Sequence, residues 1–324
     1  MRGTTNPPRS IGEPMRSLLL LSIIALAGCN GAGASAGRSG APDRTLAPTP
    51  VFRADTAFAY LERQVAFGPR VPGSPGHAAQ LAWMVEFLKA RADTVILDPF
   101  EHETSVGGTR LELANVFARF RPDDRDRILV LAHWDTRPTA DEESDAERRA
   151  RPIPGANDGA SGTAVLLELA NVLSSNSPPI GVDLLFVDGE DYGPGGPDMY
   201  LGAKRFAARN PAYRPLYGIL LDMIGDQNPV YPIELNSRES APEVVERVWR
   251  VAEEIGHGNA FVRRDGGAIT DDHIPLNRAG IRTIDIIDFD YGHWHRLTDD
   301  LANVSAKGLG IVGSVLTALI FRGG

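Results

Sequence analysis

The chain has one cysteine, Cys29, in 324 residues, which excludes an intrachain disulfide. It is also short of positive charge. Lys and Arg total 33 against 42 Asp and Glu, a formal net charge of −9. That balance argues against a nucleic-acid partner, because phosphate binding needs a basic face. Long apolar runs are missing as well. The one candidate, Leu18–Gly28, is too short to span a bilayer as a permanent helix. There is no internal repeat.

What is present at the start is more specific. Arg16 precedes the apolar run, and small residues lead directly into Cys29. A basic start, a short apolar core and small residues at the cut make a secretory signal over residues 1–29. The residues "LAGC" resemble a bacterial lipobox, in which Cys29 is acylated and becomes the mature N-terminus. Met15 stands where such a signal normally begins, so the start is Met1 or Met15. Residues 30–50 are Gly, Ala, Ser and Pro with little to bury, which reads as a flexible tether. The expectation is an exported protein, lipid-anchored at Cys29, facing the periplasm or the cell exterior. Folded protein is expected over 51–324.

Within that region, apolar spacing predicts helices over 54–68 and 76–90, with turn chemistry between them. "TVILDPFEHETS" and "LELANVFARF" read as adjacent strands, and "RILVLAHWD" as a strand buried on both faces. Alternation follows: helix 161–175 with Ser161 as its N-cap, strand 182–188, helix 199–210, strand 217–225, helix 241–256, strand 283–288 and helix 304–321. This predicts an α/β fold: a single three-layer domain with a mostly parallel central sheet and helices on both faces.

The strand ends carry the chemistry. One run stops at His133 and Asp135, a second leads into Glu190 and Asp191, a third ends at Asp222, and a fourth leads to His293 and His295. Asp158 lies just before a helix. In parallel sheets ligands bind outside the carboxyl ends of the strands, so these groups are expected to converge. Taken singly, each has an ordinary reading as a cap, a turn or a solvated acid. Gathered together, the carboxylates repel unless a cation neutralises them. Imidazole nitrogen with carboxylate oxygen and no thiolate suits zinc at a catalytic site. Of the adjacent Glu190 and Asp191, one can ligate while the other acts as a general base.

With these residues in view, the chain resembles the zinc aminopeptidase-like α/β superfamily over roughly residues 54–322, specifically its glutaminyl cyclase branch. The superfamily signals are "HWD", "NDGASG", the acidic pair, "LDMIG" and "WH", all in order. The branch signals are "FGPRVPGSPGH", "DGED", "GPDMYLGAKRFA", "LLDMIGDQNP" and "DDHIPLNRAGI". The resemblance implies Asp158, Asp191 and His295 as ligands of one Zn2+. It implies Glu190 as the catalytic acid/base, Asp222 and Asp272 in a hydrogen-bond network with it, and Trp294 in the substrate pocket. His133 would be a second-metal or relic ligand, supported by Asp135. The implied reaction converts an N-terminal glutamine of a peptide or protein into pyroglutamate with loss of ammonia. Three departures from the animal enzymes stand out: Asp191 where they carry Glu, no tryptophan in "YGPGGPD", and no second cysteine.

Two other readings compete. A di-zinc aminopeptidase of the same fold would use His133, Asp158, Asp191, Asp222 and His295 around two ions. A non-catalytic tethered binding protein would have kept the fold without the chemistry. His273 reads as a helix start, Trp134 as core, His293 as a surface residue, and the charged stretch 141–152 as a solvated insertion.

Overall fold

A computed structural model describes residues 49–324. Cys29, the signal segment and nearly all of the tether lie outside the described residues. No helix among the described residues is long and apolar enough to cross a membrane.

The chain opens with α1 (Ala54–Val65) and α2 (Pro75–Lys89), the latter capped by Ser74, whose Oγ accepts from the His77 N–H. Then come β1 (Thr94–Glu103), β2 (Arg110–Phe120), β3 (Arg127–His133), the short α3 (Ala146–Arg149), α4 (Ala160–Ser175) and β4 (Gly181–Val187). After them follow α5 (Leu201–Arg209), β5 (Gly218–Asp222), β6 (Tyr231–Ile233), α6 (Leu235–Ser240) and α7 (Pro242–Glu254). The chain closes with β7 (Phe261–Asp265), α8 (His273–Arg278), β8 (Thr283–Ile287) and α9 (Ala306–Phe321). The expected alternation is there. His273 does begin a helix, and Trp134 is fully buried, its indole N–H donating to the Ala114 carbonyl.

Six strands form one sheet in the order β1-β2-β4-β3-β5-β8. The β1–β2 and β2–β4 pairings are antiparallel and the other three parallel, so β2 alone runs against the rest. β1 is an edge strand, which is why it tolerates Pro99 in its middle. β3 is buried on both faces along its whole length. Its period-two alternation divides it between two cores. Ile128, Val130 and Ala132 pack in the larger core with α1, α4 and α9, while Leu129 and Leu131 join Phe206 of α5 and Leu276 of α8 on the other side. The result is helix, sheet, helix.

The strand order also fixes where a site can form. The chain goes from β3 through α4 to β4 on one side, then returns through α5 to β5 on the other side of β3. The connections part at the carboxyl end of β3, which is where doubly wound sheets open a crevice. His133 is the last residue of β3, level with Val187, and Asp222 is the last residue of β5.

One expectation is corrected. Ser161 does not cap α4. The cap is Gly159, at φ 94°, and Ser161 lies inside the helix, its hydroxyl donating to the Asn157 carbonyl and accepting from the Ile224 N–H. The reason is space as well as dihedral: a Cβ at 159 would stand 2.4 Å from the Asp135 carbonyl oxygen. Only glycine permits that approach.

Between β2, β3 and β4 lies a charge network away from the site. The fully buried Asp183 accepts from Arg127 Nε at 2.5 Å and Nη2 at 2.8 Å, from Arg119 Nε at 3.0 Å and from the Tyr213 hydroxyl at 2.7 Å. Removing one partner of a buried pair leaves the other uncompensated. Asp183→Ala is therefore expected to destabilise the domain by about 3–5 kcal/mol, read as a lowered midpoint in urea unfolding.

Candidate active site

The loop after β3, the start of α4, the loop after β4, the end of β5 and the loop before α9 meet at one sheet edge. They bring together His133, Asp135, Asp158, Glu190, Asp191, Asp222 and His295. His133 Nε2 is 3.2 Å from Asp158 Oδ1 and 3.2 Å from Asp222 Oδ1, and its Nδ1 is 3.6 Å from Asp135 and 3.8 Å from Glu190. His295 Nε2 is 3.4 Å from Asp191 Oδ1 and 3.7 Å from Asp158 Oδ2. Two triads result. Asp158, Asp191 and His295 have ligand atoms mutually within 4.8 Å, as do His133, Asp158 and Asp222, with Asp158 common to both.

Each ligand-type side chain is held from behind. Asp135, fully buried, accepts from the backbone N–H of Glu190 at 3.1 Å and of Asp191 at 3.2 Å. It therefore fixes the loop that carries both residues. Asp299 accepts from the N–H groups of Asn157 at 2.8 Å and Asp158 at 3.1 Å, and the Tyr291 hydroxyl donates to it at 2.9 Å. His295 stands at φ 52°, a left-handed conformation unusual for a side chain with a Cβ, and Met223, next to Asp222, at φ 46°. Strain of this kind persists where surrounding contacts over-determine it, and it clusters at functional sites.

Asp141 corrects the solvated reading of the 141–152 stretch at its first residue. Its Oδ1 lies 3.2 Å from His295 Nδ1, the ring nitrogen that does not face the triad. Arg137 donates to both Asp141 oxygens at 2.9 Å and, through Nη1, to Asp191 Oδ1 at 2.5 Å. One arginine thus ties the carboxylate behind His295 to the carboxylate in front of it. The remainder of the stretch behaves as expected: α3 has no buried residue.

The electrostatics of the cluster demand compensation. Burial pushes the Glu190 carboxyl well above its usual range; nearby His133 opposes this, and Asp191, Asp271 and Asp272 add to it. Asp272 is pushed up to about 8, first by burial and then by Asp135 and Asp222, with His133 opposing. Burial alone would lower the His133 pKa, but Asp135, Asp158 and Asp222 raise it well above the ordinary value. His295, which burial would also lower, is pushed up to about 10 by Asp141, Asp191 and Asp158.

A divalent cation fits this arrangement. Asp191 Oδ2 is buried without a hydrogen-bond partner. One imidazole and two carboxylates facing a cavity make the three-ligand, open-position set of a catalytic zinc site.

The cavity measures about 250 Å3 and is lined by Asp158, Glu190, Asp191, Asp222 and His295, with Trp294 and Phe289 as aromatic neighbours. That is below the roughly 300–1,000 Å3 of pockets for drug-sized ligands, and suits a single residue. Trp294 stacks on the His295 ring at 3.8 Å between centroids and packs against Phe289 at 5.1 Å. Of the "DDH" pair, Asp271 lines the cavity, whereas Asp272 does not. Both Asp272 oxygens are buried and unpartnered.

The family described as peptidase family M28 matches residues 115–320. The glutaminyl-peptide cyclotransferase of Bos taurus is 26% identical over 291 residues, covering 78% of this chain and 78% of its own. Bacteroides thetaiotaomicron glutaminyl cyclase, solved bound to N-acetylhistamine, is 37% identical with a TM-score of 0.80, covering 85% of this chain and 99% of its own. A zinc-dependent exopeptidase from Parabacteroides distasonis is 37% identical with a TM-score of 0.81, again covering 85% and 99%.

The support of His295 by Asp141 has a measurable consequence. Partners behind a metal-binding histidine typically contribute 10–100-fold in affinity. Asp141→Asn is expected to weaken zinc binding by about that factor, measured by competition against a chromophoric chelator, while the far-UV spectrum stays that of the wild type.

Proposed function

The chain belongs to peptidase family M28, and from that premise we propose that it is a zinc-dependent glutaminyl-peptide cyclotransferase, converting N-terminal glutamine into pyroglutamate with release of ammonia. The observation that carries this reading is Glu190. It is a carboxyl whose proton affinity is raised by burial first and then by Asp191, Asp271 and Asp272, and it lines a small cavity beside a zinc-type triad. The relatives that match it across most of its length support the same activity.

In this reading Asp158, Asp191 and His295 hold one Zn2+. Bound there, the ion supplies Lewis-acid polarisation of the substrate's γ-carboxamide carbonyl. The chain's own groups do the rest. The carboxylate cluster draws in the substrate's α-ammonium group, and Trp294 and Phe289 cover the apolar part of the glutamine side chain. Glu190 takes a proton from the ammonium, which frees the α-nitrogen as a nucleophile. The new bond joins that nitrogen to the side-chain carbonyl carbon, and the carbon–nitrogen bond of the carboxamide breaks. Glu190 passes its proton to the departing nitrogen, which leaves as ammonia. The α-nitrogen gives up its second proton to water and keeps one as the lactam N–H. Nucleophile and electrophile belong to one residue, so the cavity need only hold it folded back, which is catalysis by proximity. Burial first, and then Asp191, Asp271 and Asp272, keep Glu190 able to carry a proton near neutral pH, with His133 opposing.

A second reading has its own support. The triad of His133, Asp158 and Asp222 is as tight as the first, and an aminopeptidase with two ions would use both. The relative from Parabacteroides distasonis is a zinc-dependent exopeptidase. Metal count and substrate separate the two. The cyclase is expected to carry one zinc per chain and release ammonia from a Gln-initiated peptide. It should leave a Leu-initiated peptide intact and lose activity in a chelator. Two zincs per chain with release of free leucine would establish the peptidase. Glu190→Gln is expected to lower ammonia release about 10²–10⁴-fold with the zinc content retained.

The segment ending at Cys29 supports an exported enzyme, lipid-anchored and acting on peptide N-termini outside the cytoplasm. Intact mass of the membrane fraction is expected to give a mature chain that starts at an acylated Cys29; a chain retaining residues 1–28 would refute this.

A further inference from the structure

Next to the catalytic cavity is a second, larger depression of about 520 Å3. Tyr200 and Thr270 line both. The Tyr200 hydroxyl donates to the Thr270 carbonyl at 2.7 Å, so this pair forms the wall between the two. The wall is tied to the catalytic loop as well. Tyr200 sits at φ 58°, and its backbone N–H donates to the Glu190 carbonyl at 2.9 Å.

The depression lies between α5 and α8. Ala207, Ile274 and Pro275 give it apolar surface, and its charged members are both cations, Lys204 and Arg278. In a chain of net charge −9, that is a local reversal of sign. Lys204 Nζ donates to the Gly196 carbonyl at 2.5 Å and the Met199 carbonyl at 2.7 Å, which uses two of its three donors. Neither cation has a carboxylate partner within 4.0 Å among the described residues, and Arg278 donates there to no protein acceptor. Burial lowers the Lys204 pKa; Asp272 and Asp198, both farther than 4.0 Å, oppose this, and the charge of Arg278 adds to it.

Solvated helix-surface cations would be the ordinary reading, and Lys204 also clamps its own loop. Two features go beyond that. The two cations share one depression whose lining contains no acid of this chain. The depression also shares a wall with a cavity that holds one residue, so a longer peptide must leave the cavity across its rim. We infer that this depression receives the peptide stretch that follows the N-terminal glutamine, and that Lys204 and Arg278 select an acidic side chain there. The inference rests on the cyclase reading and adds a substrate class to it: N-termini with glutamine first and an acidic residue shortly after.

The test uses amide-capped tetrapeptides that begin with Gln and carry Glu or Lys at the second, third or fourth position, with alanine elsewhere. Each kcat/KM is divided by that for glutamine amide, which is too short to reach the depression. Wild type is expected to prefer Glu over Lys about fivefold at one position, the upper end of what exposed ion pairs supply. The preference should shrink as salt is added. Arg278→Gln should reduce it and Arg278→Glu should invert it. No preference beyond about twofold at any position, or one unaltered in Arg278→Glu, overturns the inference while leaving the cyclase reading intact. Failure to release ammonia even from glutamine amide overturns the cyclase reading, and this inference with it.

Discussion

Mutual repulsion among buried carboxylates is the constraint on which this site depends. Asp135, Asp158, Glu190, Asp191, Asp271 and Asp272 are all nine-tenths or more buried, and Asp222 nearly so, at one sheet edge. Unpaired charges in such surroundings shift their pKa values or acquire a counter-charge. Both responses are in use. Arg137 supplies positive charge from the protein beside Asp191, and the two triads are shaped for a cation. Glu190 and Asp272 respond the other way, by favouring the protonated form. Burial, ahead of any neighbour, raises the proton affinity of Glu190 and Asp272, and a carboxyl so raised is suited to proton transfer near neutral pH.

Much of this is legible in the sequence because the fold obeys a simple rule. Apolar runs of strand length that end in His, Asp or Glu must place those residues at the carboxyl edge if the strands are parallel. The alternation with helices says that they are. His133, Asp222 and the pair Glu190–Asp191 can be read this way. Asp158 is legible from its place just before a helix, within "NDGASG". What sequence alone hides are partners whose contacts span the chain. Asp141 stands in a charged run and is itself partly exposed, and only the fold brings it 3.2 Å from His295, far along the sequence. Asp299 orients Asp158 across 141 residues. Arg137 resembles any loop arginine until Asp191 is placed against it. Asp271 and Asp272 are adjacent and chemically identical, and the turn into α8 alone determines which of them lines the cavity. Ser161 is the reverse case: a residue with good capping chemistry in the right register, displaced from the cap by the tighter requirement at Gly159.

His133 and Arg137 bear differently on the number of ions. The Nε2 of His133 is 3.2 Å from two carboxylates and can either carry a proton between them or ligate a metal, but not both. Those carboxylates hold the proton on the ring against the effect of burial. A protonated His133 brings one positive charge to the place where a second ion would bring two, and it leaves Asp158 free to serve the first triad. Arg137 acts on that first triad from the other side. Its 2.5 Å hydrogen bond occupies Asp191 Oδ1 and leaves Oδ2 as the unpartnered, buried oxygen. A ligand with one oxygen committed to a guanidinium presents a single oxygen to a metal.

The charge layout around the site also sets the polarity with which a peptide approaches. The cavity concentrates negative charge, and the adjoining depression is positive at Lys204 and Arg278. A peptide N-terminus with a downstream acid carries the complementary pair, an ammonium group followed by a carboxylate. Each end is attracted to the matching region and repelled from the other, so reversed binding is disfavoured twice. A glutamine inside a chain has no ammonium group to offer the carboxylate cluster, and an N-terminus followed by lysine brings a cation against two unpaired cations. The wall of Tyr200 and Thr270 stands between the two regions. The separation allows one small surface to be acidic enough for proton transfer and basic enough to read the residues that follow.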